Sequence, residues 1–298
     1  FIVSASDRTP LPASGRRSSC DRAAAARLPL KLPASTGCAT FFALPISPAV
    51  LLTRAMQPHA PIAPRYRTDA EKPAYVEKLF DAGARYYDRT VGWGFFGSGK
   101  FYRKWAQERH GLKPGMKVLD VASGTGLVAE AAARVLGSGK DITCVDPSRG
   151  MLANVSAKVP DATVLIGRAD ALPVPDAQFD FLTMGYALRH VGDLEVAFRE
   201  YFRALKPGGK VLLLEVTKPR SGFRAWLFRL YFKNIYPGLT RLFTRSAEAK
   251  DMMLYFWETM DVFVPPEQVL AALRAAGFEH VERKALMGLF SEYVAIKP

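Results

Sequence analysis

Residues 117–126 read Lys117-Val-Leu-Asp-Val-Ala-Ser-Gly-Thr-Gly126, a short apolar run that leads into a glycine-containing loop. The apolar run has the length of a buried strand, and Leu127–Leu136 after the loop has the apolar spacing of a helix. Gly124 and Gly126 allow the backbone to pass close to a ligand, and a helix start favours negative charge. The stretch therefore predicts a strand, a ligand-binding loop and a helix.

Short apolar runs alternate with helix-length segments on both sides of this loop. The further strand-sized runs are 141–146, 163–166, 179–184, 210–216, 281–285 and 293–296. Continuous apolar strands separated by helices are typical of a parallel sheet with both faces covered. The pattern predicts an α/β fold with a doubly wound, mostly parallel, seven-stranded sheet.

Composition excludes several classes of protein. The chain has 298 residues, of which 49% are hydrophobic and 23% charged, as in an ordinary globular protein. No run approaches the roughly 18 apolar residues of a membrane span. The three cysteines have neither disulfide nor zinc spacing, so we expect a reducing compartment. Asp170, Asp176 and Asp180 have no histidine near them, so we expect no metal site.

Residues 1–55 do not resemble a folded domain. They are rich in Pro, Ala, Ser and Arg, and the first methionine is Met56. They are either a transit peptide, which would place the protein in the mitochondrial matrix, or upstream sequence read in frame, in which case we expect a cytoplasmic protein. Prolines favour the second interpretation, because they interrupt the helix of a transit peptide. The predicted domain, 56–298, divides into a lid (about 68–110), a core (114–216), a cap (220–262) and C-terminal strands (267–298).

The glycine loop is compatible with two kinds of ligand. Asp146 ends the second strand 20 residues after Gly126, where a carboxylate can accept hydrogen bonds from both ribose hydroxyls. The spacing Gly124-x-Gly126-x-x-Ala129 also satisfies a dinucleotide-binding pattern. Against a dinucleotide, Asp120 lies just before the loop, where it suits an ammonium group better than a pyrophosphate.

Further motifs carry a family resemblance. Gly167-Arg-Ala-Asp170 follows the third strand, and Leu205-Lys-Pro-Gly-Gly209 introduces the fifth. With the glycine loop they resemble class I S-adenosylmethionine-dependent methyltransferases, whose sheet is Rossmann-like. Met184-Gly-Tyr-Ala-Leu-Arg-His-Val191 and Leu214-Glu-Val-Thr-Lys-Pro219 further resemble the UbiE/MenG type of ubiquinone/menaquinone C-methyltransferase. The match runs from about Phe80 to Lys297, with Leu-Arg-His where that family usually has Leu-Arg-Asn.

The resemblance implies S-adenosylmethionine as cofactor and a lipophilic quinol precursor as the molecule that is C-methylated. Position by position, it implies these cofactor-binding residues: Asp120, Ser123, Gly124, Thr125, Gly126, Asp146, Pro147, Arg168, Ala169, Asp170 and Gly185. Arg168 stands where many members have an aspartate for the adenine amino group. That departure suggests contact through backbone groups, or a role for Asp170. Tyr86, Tyr87 and Trp93 would belong to the lid over the cofactor, or simply pack.

Arg189 and His190 are the candidate catalytic residues. They follow the fourth strand, at the sheet edge where ligands bind. Methylation of a quinol ring carbon requires an electron-rich ring, hence a base or a cation that stabilises a phenolate. Arg189 could supply the cation and His190 the base. The alternatives are a structural arginine paired with Asp193 and a surface histidine.

The segment 220–236 after the fifth strand predicts a helix with a basic stripe and a broad aromatic face. It could cover a pocket for a prenylated ring, rest peripherally on an anionic membrane, or pack on the domain. The net charge is +13 for the chain and +8 over 56–298. No nucleic-acid-binding module is recognisable, so we expect no nucleic-acid partner. Other small-molecule or phospholipid methyl acceptors remain alternatives, as does a non-catalytic or NAD-binding protein.

Overall fold

The computed structural model describes residues 55–94, 97–219 and 221–298. The expectation for the N-terminal segment, with Cys20 and Cys38, therefore lies outside the described residues. The strands are β1 Val118–Val121, β2 Ile142–Asp146, β3 Thr163–Ile166, β4 Phe179–Gly185, β5 Leu205–Val216, β6 Glu279–Leu286 and β7 Phe290–Ile296. The core helices are α3 Leu127–Leu136, α4 Arg149–Leu152, α5 Val155–Lys158, α6 Leu194–Ala204 and α10 Pro266–Ala275, with a 3₁₀ turn at Leu188–His190.

The strands form one seven-stranded sheet in the order β3-β2-β1-β4-β5-β7-β6. The first five strands are mutually parallel, and β7 is antiparallel to both of its neighbours. The strand order reverses direction between β1 and β4, where doubly wound sheets open a crevice for ligands. The predicted fold class is confirmed.

Apolar side chains cover both faces of the sheet, which is why its strands read as continuous hydrophobic runs. All four residues of β1 are buried. On one face, α6 and α10 contribute Phe198, Tyr201 and Leu273 to the core. On the other face, α3 contributes Ala129 and Ala132. The crevice at the strand ends is therefore built on a rigid, fully packed layer.

Two local predictions differ from the structure. The expected single helix 150–158 is two short helices, α4 and α5, because the Asn154 side chain donates to the carbonyl of Gly150 and competes with the helical pattern. The fifth strand begins at Leu205 instead of 210, since Leu205 already pairs with Phe179. The chain then bulges, with Gly208 at φ +77°, before pairing resumes at Lys210.

Helix α1 Lys72–Gly94 and the cap helices lie at the carboxyl ends of the strands. The second helix of the segment predicted as the lid, α2 Gly99–Arg109, instead packs on α3, where Ala106 joins its apolar cluster and Gln107 donates to the carbonyl of Val128. The cap comprises α7 Gly222–Arg229, a π-helical segment Leu230–Ile235, α8 Tyr236–Thr244 and α9 Ala247–Val262. Helix α1 and the cap both contribute to a third apolar cluster, Leu79 from α1 and Met252 from α9 among its members. In the described part of the chain, no helix is both long and apolar enough to cross a membrane.

Candidate active site

A cavity of about 410 Å³ lies at the carboxyl ends of β1, β2 and β4, beneath helix α1. Seven of the eleven residues assigned to the cofactor line it: Gly124, Asp146, Pro147, Arg168, Ala169, Asp170 and Gly185. The opposite wall is largely aromatic and comes from the lid and the segment after β4: Phe80, Tyr87, Tyr186 and His190. The crevice predicted from the strand order is therefore a single chamber with a polar end and an aromatic end.

Asp146 dominates the polar end of the cavity. Its carboxylate accepts hydrogen bonds from the backbone N–H groups of Gly124 at 2.8 Å and Ser148 at 2.9 Å. Burial raises its pKa to about 6, although both of these hydrogen bonds favour the charged form. Gly124 has φ +55°, and a Cβ at this position would meet no atom within 4 Å. The loop thus leaves open space beside a carboxylate that can accept hydrogen bonds from a diol.

The other loop residues assigned to the cofactor do not line the cavity. Asp120 is completely buried and accepts a hydrogen bond from Thr183 at 2.8 Å, while its second carboxylate oxygen has no partner in the described structure. Burial raises the pKa of Asp120 to about 7. Ser123 and Thr125 are buried as well. Gly126 caps helix α3 with φ +84°, and its missing side chain allows close contact with Val155. These residues support the loop on the side away from the cavity.

Arg168 and Asp170 bind each other at the rim of the cavity. The guanidinium donates two hydrogen bonds to the carboxylate, at 2.8 and 2.7 Å. The Asp170 carboxylate is thus paired with the Arg168 guanidinium. The other two aspartates considered for metal binding also pair with basic side chains, Asp176 with Arg203 and Asp180 with Lys206.

The chain turns sharply where β4 ends, at the boundary between the two ends of the cavity. Gly185 packs so closely on α3 that a Cβ would lie 2.4 Å from Cγ2 of Val128. Tyr186 follows with φ +62°, a left-handed conformation that is unfavourable for a bulky residue, and its N–H donates to Leu214 at 2.7 Å. This turn directs the next residues across the cavity.

His190 lies in the aromatic wall of the cavity. Its ring stacks on Tyr255 at 5.3 Å and meets Phe80 and Phe256 at 5.2 and 6.1 Å between ring centres. Both ring nitrogens are buried and have no hydrogen-bond partner among the described residues. Burial, followed by the positive charge of Arg189, holds the pKa of His190 well below 6.5. The imidazole is therefore neutral, and the prediction of a pKa suited to a general base is wrong.

Arg189 lies behind the cavity and does not line it. Its guanidinium donates to Glu215 at 2.5 Å and to Thr259 at 3.0 Å, and it lies over the ring of Phe256. The alternative partner, Asp193, instead caps helix α6 by accepting from the N–H groups of Glu195 and Val196. A direct contact of Arg189 with a molecule in the cavity is therefore not part of this arrangement.

Two lid aspartates that the sequence analysis missed hold α1 over the cavity. Asp81 accepts hydrogen bonds from the Ser148 hydroxyl and, at 2.9 Å, from the Gly150 N–H. Asp88, two turns later, pairs with Lys158 at 2.6 Å and accepts a hydrogen bond from the Thr125 hydroxyl. The available signal was their spacing of seven residues, which places both carboxylates on one helix face.

The three aromatic residues considered for the lid have different positions. Tyr87 lines the cavity, and burial raises the pKa of its hydroxyl. Trp93 is 57% exposed and packs on Phe243 of the cap, with 4.3 Å between ring centres. Tyr86 stays outside the cavity, beneath the guanidinium of Arg85. Of these three residues, only Tyr87 is placed to contact a molecule bound in this cavity.

Comparison with known proteins identifies the chemistry of this site. The sequence profile of the ubiE/COQ5 methyltransferase family matches residues 68–297. The chain belongs to this family. A ubiquinone/menaquinone biosynthesis C-methyltransferase UbiE from Shewanella woodyi is 33% identical over 218 residues, which are 71% of this chain and 86% of that protein. The UbiE of Shewanella halifaxensis is 33% identical over 224 residues, 72% of this chain and 88% of that protein.

Solved structures agree with this ubiE/COQ5 assignment at the level of the fold. A methyltransferase from Thermotoga maritima has a TM-score of 0.53 at 21% identity over 74% of this chain and 99% of its own. Phosphoethanolamine N-methyltransferase 2 of Haemonchus contortus, in complex with S-adenosylmethionine, has a TM-score of 0.53 at 18% identity, over 73% of this chain and 57% of its own. The present chain is an S-adenosylmethionine-dependent methyltransferase.

The residues at the polar end fit this cofactor. Asp146 presents a carboxylate at the end of β2, the open space beside Gly124 admits a ligand against the backbone, and Arg168 and Asp170 border the rim. A volume of about 410 Å³ is within the usual range for small-molecule sites.

Proposed function

We propose that this enzyme C-methylates a lipophilic quinol, as the names of its relatives suggest. The observation that carries the proposal is the aromatic end of the cavity, where Phe80, Tyr87 and Tyr186 surround the neutral ring of His190. Flat aromatic walls favour a planar ring, and a single polar group among them can fix its orientation.

The cofactor supplies an activated methyl group on a sulfonium, so the protein's task is to align donor and acceptor and to exclude water. Asp146 holds the ribose, and Gly124 allows the ligand to approach the backbone closely beside it. Tyr87, carried by the lid, closes the aromatic end. The ties from Asp81 and Asp88 keep this lid in place during transfer.

His190 provides a hydrogen-bonding position for the acceptor. Its two unpartnered ring nitrogens are unfavourable in a buried site, and a quinol hydroxyl would satisfy one of them. Because the imidazole is neutral, it accepts this hydrogen bond and draws electron density toward the ring. Methyl transfer forms a bond from the ring carbon to the methyl group as the sulfonium–methyl bond breaks, and the ring carbon then loses its proton to solvent. Phe80 covers the imidazole, so the lid must shift when the acceptor enters.

Arg189 acts as a positioning residue. Through Glu215 and Thr259 it anchors the turn that carries His190 to strand β5 and cap helix α9. Its charge, directly behind the imidazole, also keeps His190 neutral. Arg189 therefore acts indirectly and does not stabilise a phenolate by the direct contact that the sequence had indicated.

The test uses the full chain, methyl-labelled S-adenosylmethionine and a membrane lipid extract that contains reduced quinone precursors. Label in a quinone supports the proposal. Label in a phospholipid or in an aqueous product overturns the proposed acceptor, as does the absence of label from the quinone fraction despite cofactor binding.

Two variants of His190 test the role of the imidazole. His190→Phe keeps the aromatic packing but removes the acceptor, and we expect turnover to fall about a hundredfold with unchanged cofactor affinity. His190→Asn restores a polar group, and we expect turnover within about tenfold of the original. Equal turnover in the original and the phenylalanine variant would contradict the proposed role.

A further inference from the structure

The cap begins with one continuous helix over residues 222–244. The backbone stays in the right-handed helical region where α7 meets the π segment and where the π segment meets α8, at Leu230 and at Tyr236. The intervening segment Leu230–Ile235 is π-helical, and a π-helix needs more residues per turn than an α-helix.

The π segment keeps one face of this long helix against the protein. Buried residues recur at a spacing of four, at Phe228, Phe232, Tyr236 and Thr240. In a pure α-helix with 3.6 residues per turn, a repeat of four would rotate steadily around the axis. The larger number of residues per turn in the π segment offsets this rotation. The outward face is therefore also continuous from α7 to α8.

The outward face of the helix is apolar. Seven large side chains are at least 40% exposed on it: Phe223, Trp226, Leu227, Ile235, Leu239, Leu242 and Phe243. Phe223 and Trp226 stack on each other at 5.6 Å between ring centres. Single exposed apolar residues are common on protein surfaces, but a row of this length marks an interaction surface. Leu239 and Phe243 also wall an apolar cavity of about 500 Å³ together with Trp93.

The same helix is strongly basic. Residues 222–245 contain five Lys and Arg residues and no Asp or Glu. Arg224 donates to the carbonyl of Met287. Arg229, Lys233 and Arg241 are exposed, and within the described residues no carboxylate pairs with them. Unpaired cations beside an exposed apolar row are the combination found on helices that rest on anionic membranes.

We propose that this outward face, residues 222–245, docks the enzyme on an anionic lipid bilayer. Phe223, Trp226 and Leu242 would enter the headgroup region, while Arg229, Lys233 and Arg241 contact lipid phosphates. Charge complementarity selects this occupant, because a protein partner would have to supply an apolar groove edged by carboxylates. The proposal does not depend on the identity of the methyl acceptor, since docking is measured without substrate or cofactor.

The test is co-sedimentation of the full chain with vesicles. We expect binding to phosphatidylcholine vesicles that contain about 30% phosphatidylglycerol, and much weaker binding to phosphatidylcholine alone. In the variant Arg229→Glu/Lys233→Glu/Arg241→Glu, we expect the partition coefficient to fall at least about tenfold. A matched control, Lys113→Glu/Lys140→Glu/Arg199→Glu, makes the same change in net charge at exposed positions elsewhere and should keep more of the binding.

A second variant tests the apolar row without altering charge. Trp226→Ser/Leu242→Ser changes only exposed side chains and should also weaken binding severalfold. Thermal unfolding of each variant checks that it folds. Binding of the first variant equal to that of its charge-matched control would overturn the proposal, as would failure of the unaltered chain to bind anionic vesicles.

Discussion

Nη1 of Arg189 lies 2.5 Å from Oε1 of Glu215, and both side chains are almost completely buried. The pair joins the turn after β4 to the end of β5, and Thr259 adds a contact to cap helix α9. A buried ion pair contributes little net stability, but loss of one partner leaves an uncompensated charge. The pair therefore fixes geometry behind the cavity.

Removing the cation alone should be strongly destabilising. We expect Arg189→Met to lower the free energy of unfolding by about 3–5 kcal/mol. Burial already raises the pKa of Glu215. The loss of stability in Arg189→Met should therefore be largest at alkaline pH, where Glu215 is charged. The loss should become smaller at lower pH, because Glu215 then takes up a proton in the folded protein. Urea unfolding at pH 8 and pH 5 measures both effects. The double variant Arg189→Met/Glu215→Met should recover most of the loss, and no recovery would show that the charge pair is not its source.

Cofactor affinity should depend on the protonation of Asp146. Its raised pKa of about 6 means that the carboxyl is protonated below pH 6 and then accepts fewer hydrogen bonds. We expect the Kd for S-adenosylhomocysteine to rise by up to about tenfold per pH unit below this value. Calorimetry from pH 5 to pH 8 measures it. Asp146→Asn should bind weakly throughout and lose this acid dependence, whereas Asp120→Asn should retain it.

The lid ties should govern the opening of α1. Asp81→Ala/Asp88→Ala removes four contacts between α1 and the core, each contributing about 1 kcal/mol, so we expect amide hydrogen exchange along α1 to increase by up to about a thousandfold. Exchange elsewhere in the sheet should not change. Asp161→Ala, at an exposed loop position, is a control for removal of a carboxylate that does not contact α1. If α1 exchanged at the same rate in both variants, the ties would have no role in closing the cavity.

The tight contact at the end of β4 can be tested by repacking. Gly185→Ala should lower stability by about 1–3 kcal/mol, because its Cβ would overlap Val128. Adding Val128→Ala should restore part of the loss, although it also removes apolar volume. Gly238→Ala, in a helix where a Cβ meets nothing within 4 Å, should be neutral or stabilising. Denaturant unfolding of the original protein and of the three variants measures these changes in stability. A Gly185→Ala variant as stable as the original protein would contradict the predicted overlap.

Local chemistry made much of the site predictable. The strand, the glycine loop and the acid at the end of the next strand place Gly124 and Asp146 in one crevice, because each position follows from short-range rules. Side-chain direction within the loop does not follow from them. Thr125, next to the lining residue Gly124, does not line the cavity and donates its hydroxyl to Asp88 instead.

Contacts between residues far apart in the chain could not be predicted from the sequence. The partner of Arg189 is 26 residues away on a neighbouring strand, and only the register of the sheet brings them together. His190 is buried because cap helix α9 supplies Tyr255 and Phe256, which no local pattern indicates. The change of its pKa follows from that burial.

The position of β7 constrains how the polypeptide can fold during synthesis. Within residues 55–94, 97–219 and 221–298, strand β6 pairs only with β7, and β7 lies between β5 and β6. Until residues 290–296 leave the ribosome, the edge of β5 is therefore open and β6 has no place in the sheet. An exposed strand edge is a template for pairing with another chain. Nascent chains halted before β7 should consequently associate with other chains more readily than chains that contain it.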